Sequence, residues 1–224
     1  MKTETAVADA VTRVAERVAT AASRAGRDPS EVRIVAATKE ADVEAIASAA
    51  RAGLRDFGEN RARELAAKAE ASAGDLRWHY LGAVQTNKVR FLDRVVLVHG
   101  LDRLREAEAL QARGDKLGRS WDVLVEVNIA AEAQKQGIPA AGLPAFLDGL
   151  GAYPRVRPRG LMFVAPHVEN PEDVRTMFGE ARSLSERFGL RELSMGMSDD
   201  FEVAVEEGST MVRIGRAIFR PGSE

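Results

Sequence analysis

The stretch VRIVAATKE, residues 32–40, is an apolar, β-branched run that ends on a lysine with an acid behind it. It reads as a buried strand, and the alanine-rich DVEAIASAARAG after it has the character of a helix. The rest of the chain repeats that unit. LRDFG (54–58), RWHYLG (77–82), VVLVHG (95–100), WDVLVEVNI (121–129), RPRGLMFV (157–164), LSMGMS (193–198) and TMVRIGRAI (210–218) bring the candidate strands to eight. NRARELAAKAEASAG, QTNKVRFLD, RLREAEALQARG, AGLPAFLDGLGAY, PEDVRTMFGEARSLSERFG and DFEVAVEEGS lie between them, each long enough for a crossover helix. Strict β–α alternation needs parallel strands, and eight such units predict an α/β fold of the (β/α)8 TIM-barrel type. The alternative, an open doubly wound sheet, would carry a glycine fingerprint after its first strand, and ATKEADVEA has none.

Ahead of the first strand, TETAVADAVTRVAERVATAASRAG places valines at 7, 11, 14 and 18, the spacing of one helical face, with Gly26 as the stop. Acids and arginines run throughout it, so it is neither a signal peptide nor a membrane span. The expectation is one domain over residues 1–224, with an outer helix over 1–27, in the cytoplasm. Thirty-two Lys and Arg against 34 Asp and Glu give a net charge of -2, which argues against a nucleic-acid surface. The chain has no cysteine, and its three histidines, His79, His99 and His167, are not within a helical turn of one another. Thiolate chemistry is excluded, and no metal site is expected.

In such barrels the binding face is the C-terminal end of the strands. Alternation puts Val35, Ala37 and Lys39 on one face of the first strand, and Met211, Arg213 and Gly215 on one face of the last. Closure makes those strands neighbours, so two cations would share the barrel mouth with few obvious acids to neutralise them. Desolvation and a nearby cation lower a lysine pKa and free the amine for Schiff-base chemistry; the alternative is a lysine that reaches solvent beside Glu40. SMGMSDD and IGRA read as a phosphate cradle, with Ser194 and Ser198 as hydroxyls and Gly196 and Gly215 for close approach. Ser198 also reads as a helix cap, with Asp199 and Asp200 turned to solvent. His79 is either an inward polar group or a satisfied core histidine, and Asn60 either a pocket residue or a helix cap.

AATK, FGEN, WHYLGAVQTNK, VLVEVN, GLMFVAP, LSMGMSDD and GSTMVRIGRAIF, in this order, resemble the pyridoxal phosphate homeostasis proteins, which are similar to the barrel domain of alanine racemase. The resemblance implies pyridoxal 5′-phosphate as cofactor, held as a Schiff base by Lys39, with Arg213 against the pyridine nitrogen. It implies Asn60 and His79 along the pocket, and Ser194, Ser198 and the Gly215 backbone around the phosphate. Thr38, Glu40, Ala83 and Arg216 depart from the common family pattern.

The function this resemblance implies is to buffer or deliver the cofactor within vitamin B6 homeostasis, with apo-enzymes as acceptors and no turnover of its own. Neither nucleic acid nor membrane is an expected partner, and a monomer or weak homodimer is expected. The alternative is a racemase of low activity. A racemase needs a second domain and a tyrosine base; the chain ends at FRPGSE after the eighth strand, and neither Tyr80 nor Tyr153 has an evident equivalent role. A third reading is a barrel for another phosphorylated metabolite, with Lys39 acting only as a charge.

Overall fold

β1 (Arg33–Ala37) pairs on one side with β2 (Asp56–Glu59) and on the other with the last strand, β8 (Met211–Ile214), in parallel. Between them run β3 (Arg77–Ala83), β4 (Val95–Leu101), β5 (Trp121–Asn128), β6 (Val156–Phe163) and β7 (Glu192–Ser194). Each pairs with the next, and the β4–β5 contact completes a closed parallel barrel of eight strands. A two-residue strand, Ile138–Pro139, pairs with β5 outside the ring. The computed structural model describes residues 2–72, 74–129 and 136–220. Ala73 in the expected third helix, and Pro221–Glu224 of the FRPGSE end, lie outside the described residues.

The helices α2 (Val43–Arg51), α3 (Ala62–Ala71), α4 (Leu104–Leu117), α5 (Leu143–Leu150), α6 (Arg175–Arg187) and α7 (Phe201–Glu206) follow strands around the ring, and α8 (Arg216–Phe219) follows β8. α1 (Lys2–Arg24) packs outside, against α2, α7 and α8. Its buried face is the expected one, Val7, Val11, Val14 and Val18, and it ends just before Gly26. Arg27 then ties the helix end to α7 by donating to Val205 O (2.7 Å) and Ser209 O (2.9 Å).

Three expected elements differ. QTNKVRFLD forms a 3-10 helix, Thr86–Phe91, in place of an α-helix; with two β-branched residues and no side-chain cap it has little to propagate a longer turn. The eighth strand stops at Ile214, where Gly215 turns the chain into α8, so Arg216–Ile218 are helical. The seventh stops at Ser194. Gly196 has φ +91°, and a Cβ there would meet Ala204 Cβ at 2.6 Å, so the chain leaves the sheet where only glycine fits.

Strand alternation gives the barrel two cores. Outward residues such as Phe57, Trp78, Trp121 and Phe163 pack under the helices. Inside the ring Val35, Leu81, Leu97, Leu124, Met162 and Met211 form a separate apolar cluster, edged by Ala37 and Val164. Gly58 makes room for it, since a Cβ would lie 2.5 Å from Leu81 Cδ1.

Candidate functional site

Above that inner cluster, at the C-terminal mouth of the barrel, is a cavity of about 420 Å3. Its volume suits a small ligand. Lys39, Asn60, Ser198, Arg213 and Gly215 all line it, over a floor of Leu81, Met162 and Val164. Register explains the two cations. Val35 pairs with Arg213, and Lys39 stands four residues further along the chain from Val35, at the rim of the same wall.

Lys39 is exposed, with no hydrogen-bond or ion-pair partner among the described residues. Of the two readings of this lysine, the structure shows the one that reaches solvent, an unpaired amine in an open mouth. Its backbone is held from below. Lys68 of α3 donates to Thr38 O (2.7 Å) and to Glu59 Oε2 (2.6 Å), and Thr38 Oγ1 donates to Gly58 O and Glu59 Oε2 (both 3.1 Å). Glu59 is fully buried and its other oxygen accepts from Asn60 N (2.7 Å) and Arg61 N (3.3 Å). The loops carrying Lys39 and Asn60 are thus fixed to one carboxylate. Asn60 is no helix cap: the cap position of α3 is Arg61.

Arg213 is buried at the base of the cavity. It donates from Nη1 to Ser194 O and Ser194 Oγ (both 2.7 Å), and from Nη2 to Phe163 O (2.9 Å). Of the five N–H bonds of a guanidinium, Nε–H and one on Nη2 find no protein acceptor among the described residues. Burial lowers its pKa to about 10, opposed by Asp200 and Glu126, so it stays cationic at neutral pH. Those two acids are the counter-charges the sequence left unidentified. Burial lifts Glu126 to about 7, with Asp102 adding to the rise and Arg213 opposing it. Burial likewise raises Asp200 against the opposing hydrogen bond from Met197 N.

The SMGMSDD loop also differs from expectation. Asp200 is buried, not turned to solvent, and accepts from Met197 N at 2.6 Å. Ser198 does not cap α7; its Oγ accepts a long 3.4 Å bond from Ala217 N, linking this loop to the start of α8. Asp199 pairs with Arg216, and Glu40 with Arg220 (2.7 Å), so two of the departures from the family pattern are halves of rim ion pairs.

His79 and Ser194 do not line the cavity. His79 points into the barrel below Leu81, where Nε2 meets Asp56 Oδ1 (2.9 Å) and Nδ1 meets His99 Nε2 (2.9 Å). Ser194 Oγ is 2.9 Å from His99 Nδ1. His79 is the satisfied core histidine of the two readings, and Ser194 reaches the pocket only through Arg213. Burial would raise the Asp56 carboxyl, but hydrogen bonds from Arg77 and His79 outweigh it and hold the group well below the usual carboxylate range. Burial, followed by His79 and Arg213, pushes His99 well below its ordinary value, leaving a neutral ring. Sequence reasoning missed Asp56, Glu59, Lys68 and His99. Only the inward phase of Asp56 and of His99, two residues after Leu97, on their strands could have pointed to any of them.

The family model for the alanine racemase N-terminal domain matches residues 10–221. A pyridoxal phosphate homeostasis protein of Aquifex aeolicus is 42% identical over 217 residues, covering 93% of this chain and 95% of the relative. A protein from Bifidobacterium adolescentis, described only as an unknown protein, has a similar structure, with a TM-score of 0.89 at 34% identity, over 97% of this chain and 96% of that one. PipY of Synechococcus elongatus, solved with pyridoxal phosphate bound, gives a TM-score of 0.79 at 36% identity, over 92% of this chain and 99% of that one. With a parallel barrel, the family motifs at its mouth and this extent of identity, the chain belongs to the pyridoxal phosphate homeostasis protein family, built on the alanine racemase N-terminal domain.

Proposed function

We propose that the protein binds pyridoxal 5′-phosphate as a Schiff base on Lys39 and buffers or delivers it to apo-enzymes in the cytoplasm. The observation that carries the reading is the unpaired Lys39 amine on the wall of a 420 Å3 cavity whose base presents Arg213. The residues fit the group: an amine for an aldehyde, a cationic base with two spare N–H donors, apolar side chains for a ring, and a serine and glycine on the loops for a phosphate. When bound, the cofactor supplies an aldehyde carbon and an electron-withdrawing ring.

Lys39 would hold the cofactor covalently, its amine condensing with the aldehyde and releasing water. Arg213 keeps its proton at neutral pH, so a ring nitrogen against it accepts a hydrogen bond and gains no proton, which weakens carbanion chemistry. Neither Tyr80 nor Tyr153 lines the cavity, and Tyr80 spends its hydroxyl on Ala83 O (3.0 Å). Both points favour holding and release over racemisation. The open mouth favours release, because no described element covers Lys39.

The test is a titration of the protein with pyridoxal phosphate, wild type against Lys39→Ala, read in the visible spectrum and by mass spectrometry after borohydride reduction. A band near ~420 nm and an adduct on Lys39, both lost in the variant, are expected. No adduct in the wild type would sink the Schiff-base reading and leave the barrel as a site for another phosphorylated metabolite. Exchange of an amino-acid α-hydrogen in deuterated water, abolished by Lys39→Ala, would replace the carrier by a racemase. Faster loading of an apo-enzyme than from the free cofactor at its released concentration is the outcome that supports delivery.

A further inference from the structure

A line of polar side chains runs along the inside of the barrel, from its N-terminal mouth to the base of the pocket: Asp56, His79, His99, Ser194, Arg213. We propose that the first four are positioning residues, linked as a one-way chain of hydrogen bonds that fixes the guanidinium of Arg213 beneath the pocket. Only the step from Arg213 to a bound ligand rests on the function proposed above.

The direction of the chain comes from counting donors. Arg213 can only donate, so Ser194 Oγ accepts from Nη1 at 2.7 Å. The serine proton then has His99 Nδ1, 2.9 Å away, as its acceptor. With Nδ1 accepting, a neutral His99 carries its proton on Nε2 and donates to His79 Nδ1 at 2.9 Å. His79 in turn carries its proton on Nε2 and donates to Asp56 Oδ1 at 2.9 Å. Every link has one donor and one acceptor, and both rings are neutral Nε2–H tautomers.

The reverse direction does not close. If His99 Nδ1–H donated to Ser194, that hydroxyl would face two donors, with no other acceptor for its own proton among the described residues. His79 Nε2 would then present a lone pair to the Asp56 carboxylate unless the ring carried a second proton. Asp56 is kept ionised by Arg77, which donates to Oδ1 (2.8 Å) and Oδ2 (2.5 Å). That pair sits beside Arg33–Glu192 and Arg159–Asp122 around a hollow of about 590 Å3 at the N-terminal mouth.

The chain therefore ends in a fixed acceptor at one mouth and a permanent donor at the other. A relay ending on a guanidinium that keeps its proton cannot pass one on, but it can lock an orientation. With Nη1 committed to Ser194 and Nη2 to Phe163 O, the guanidinium plane is set and its two spare N–H bonds have fixed directions.

Nitrogen-15 NMR of ligand-free protein labelled at histidine tests this directly. Only three histidines contribute, and His167 is exposed. At pH 7.5 both buried rings are expected as neutral Nε2–H tautomers; an Nδ1–H ring or an imidazolium at either position overturns the proposal. In His79→Phe the acceptor for His99 Nε2–H is gone while Arg213 still presents a donor to Ser194, so His99 is expected to keep its Nε2–H tautomer with that proton unpaired, and its ring and Ser194 are no longer held in place. Affinity for pyridoxal phosphate should then fall roughly tenfold while the reducible adduct still forms on Lys39. A His99 that switches to the Nδ1–H tautomer, or unchanged affinity, overturns the positioning role. Should wild-type protein form no adduct at all, the proposed function fails while the tautomers still judge the chain. If His79→Phe does not fold, the wild-type tautomers decide alone.

Discussion

The ammonium of Lys68 lies 2.6 Å from Glu59 Oε2 and 2.7 Å from the carbonyl oxygen of Thr38, the residue before Lys39. One cation on α3 thus neutralises a fully buried carboxylate and holds the peptide that carries the proposed reactive amine. Removing one partner of a buried pair strands the other charge, so Lys68→Met should destabilise the protein by about 3–5 kcal/mol. Urea unfolding measures it. The double variant Lys68→Met with Glu59→Gln should recover part of that loss, because no bare charge remains.

Lys39→Ala should leave stability within about 0.5 kcal/mol of wild type, as expected of an exposed residue without partners among the described residues. Loss of cofactor binding with an unchanged melting curve would separate the chemical role of this lysine from a structural one. A large drop in melting temperature would show that Lys39 has structural work to do.

Gly58→Ala should damage the pocket from below. The added Cβ falls 2.5 Å from Leu81 Cδ1, and Leu81 is part of the cavity floor. Overpacking of this kind costs about 1–3 kcal/mol, and the leucine's way out is upward, into space the ligand would use. Both the unfolding midpoint and the affinity for pyridoxal phosphate should fall, and Gly58→Ala with Leu81→Val should restore part of each.

Glu106, on α4, is buried, with Oε2 lacking a hydrogen-bond partner among the described residues. Burial, reinforced by Asp102, raises its pKa from 4.5 to about 7 against the opposing amide of Asp102. A carboxyl raised on folding stabilises below its unfolded pKa, and that contribution disappears as pH climbs through the folded value. Wild type should therefore lose on the order of 3 kcal/mol relative to Glu106→Gln between pH 4.5 and pH 7. The two should have similar stability near pH 4.5, with the variant the more stable at pH 8. Urea melts across that range would show it, and a constant difference between the proteins would refute the assignment.

Most of the barrel was legible because its signals are local. β-Branched runs ending in turn residues give eight strands, and alternation alone places Val35, Ala37, Met211 and Arg213 inside. Lys39, Asn60, Ser198, Arg213 and Gly215 meet because each stands at or just beyond the C-terminal half of its strand. Height within the ring was not legible. It depends on the stagger between strands: β3 is placed so that His79 pairs with Gly58 and Leu97, which leaves Leu81 as the floor and His79 beneath it. The partners of Asp56 and Glu59 were equally hidden, since Arg77, His79 and Lys68 are brought to them by packing between elements.

The seam between β1 and β8 gives the pocket a particular place in the life of the chain. Val35 and Arg213 are paired neighbours drawn from opposite ends of the sequence, and Lys39 and Gly215, beyond them on the two sides of that join, both line the pocket. A nascent chain emerging from the ribosome holds its lysine early and must wait for the arginine, so it has no binding site until nearly all of the described residues are made. Closure and competence to bind thus arrive together. On the proposed function, free cofactor met at that moment favours the closed ring by mass action, and the cargo takes part in the maturation of its own carrier.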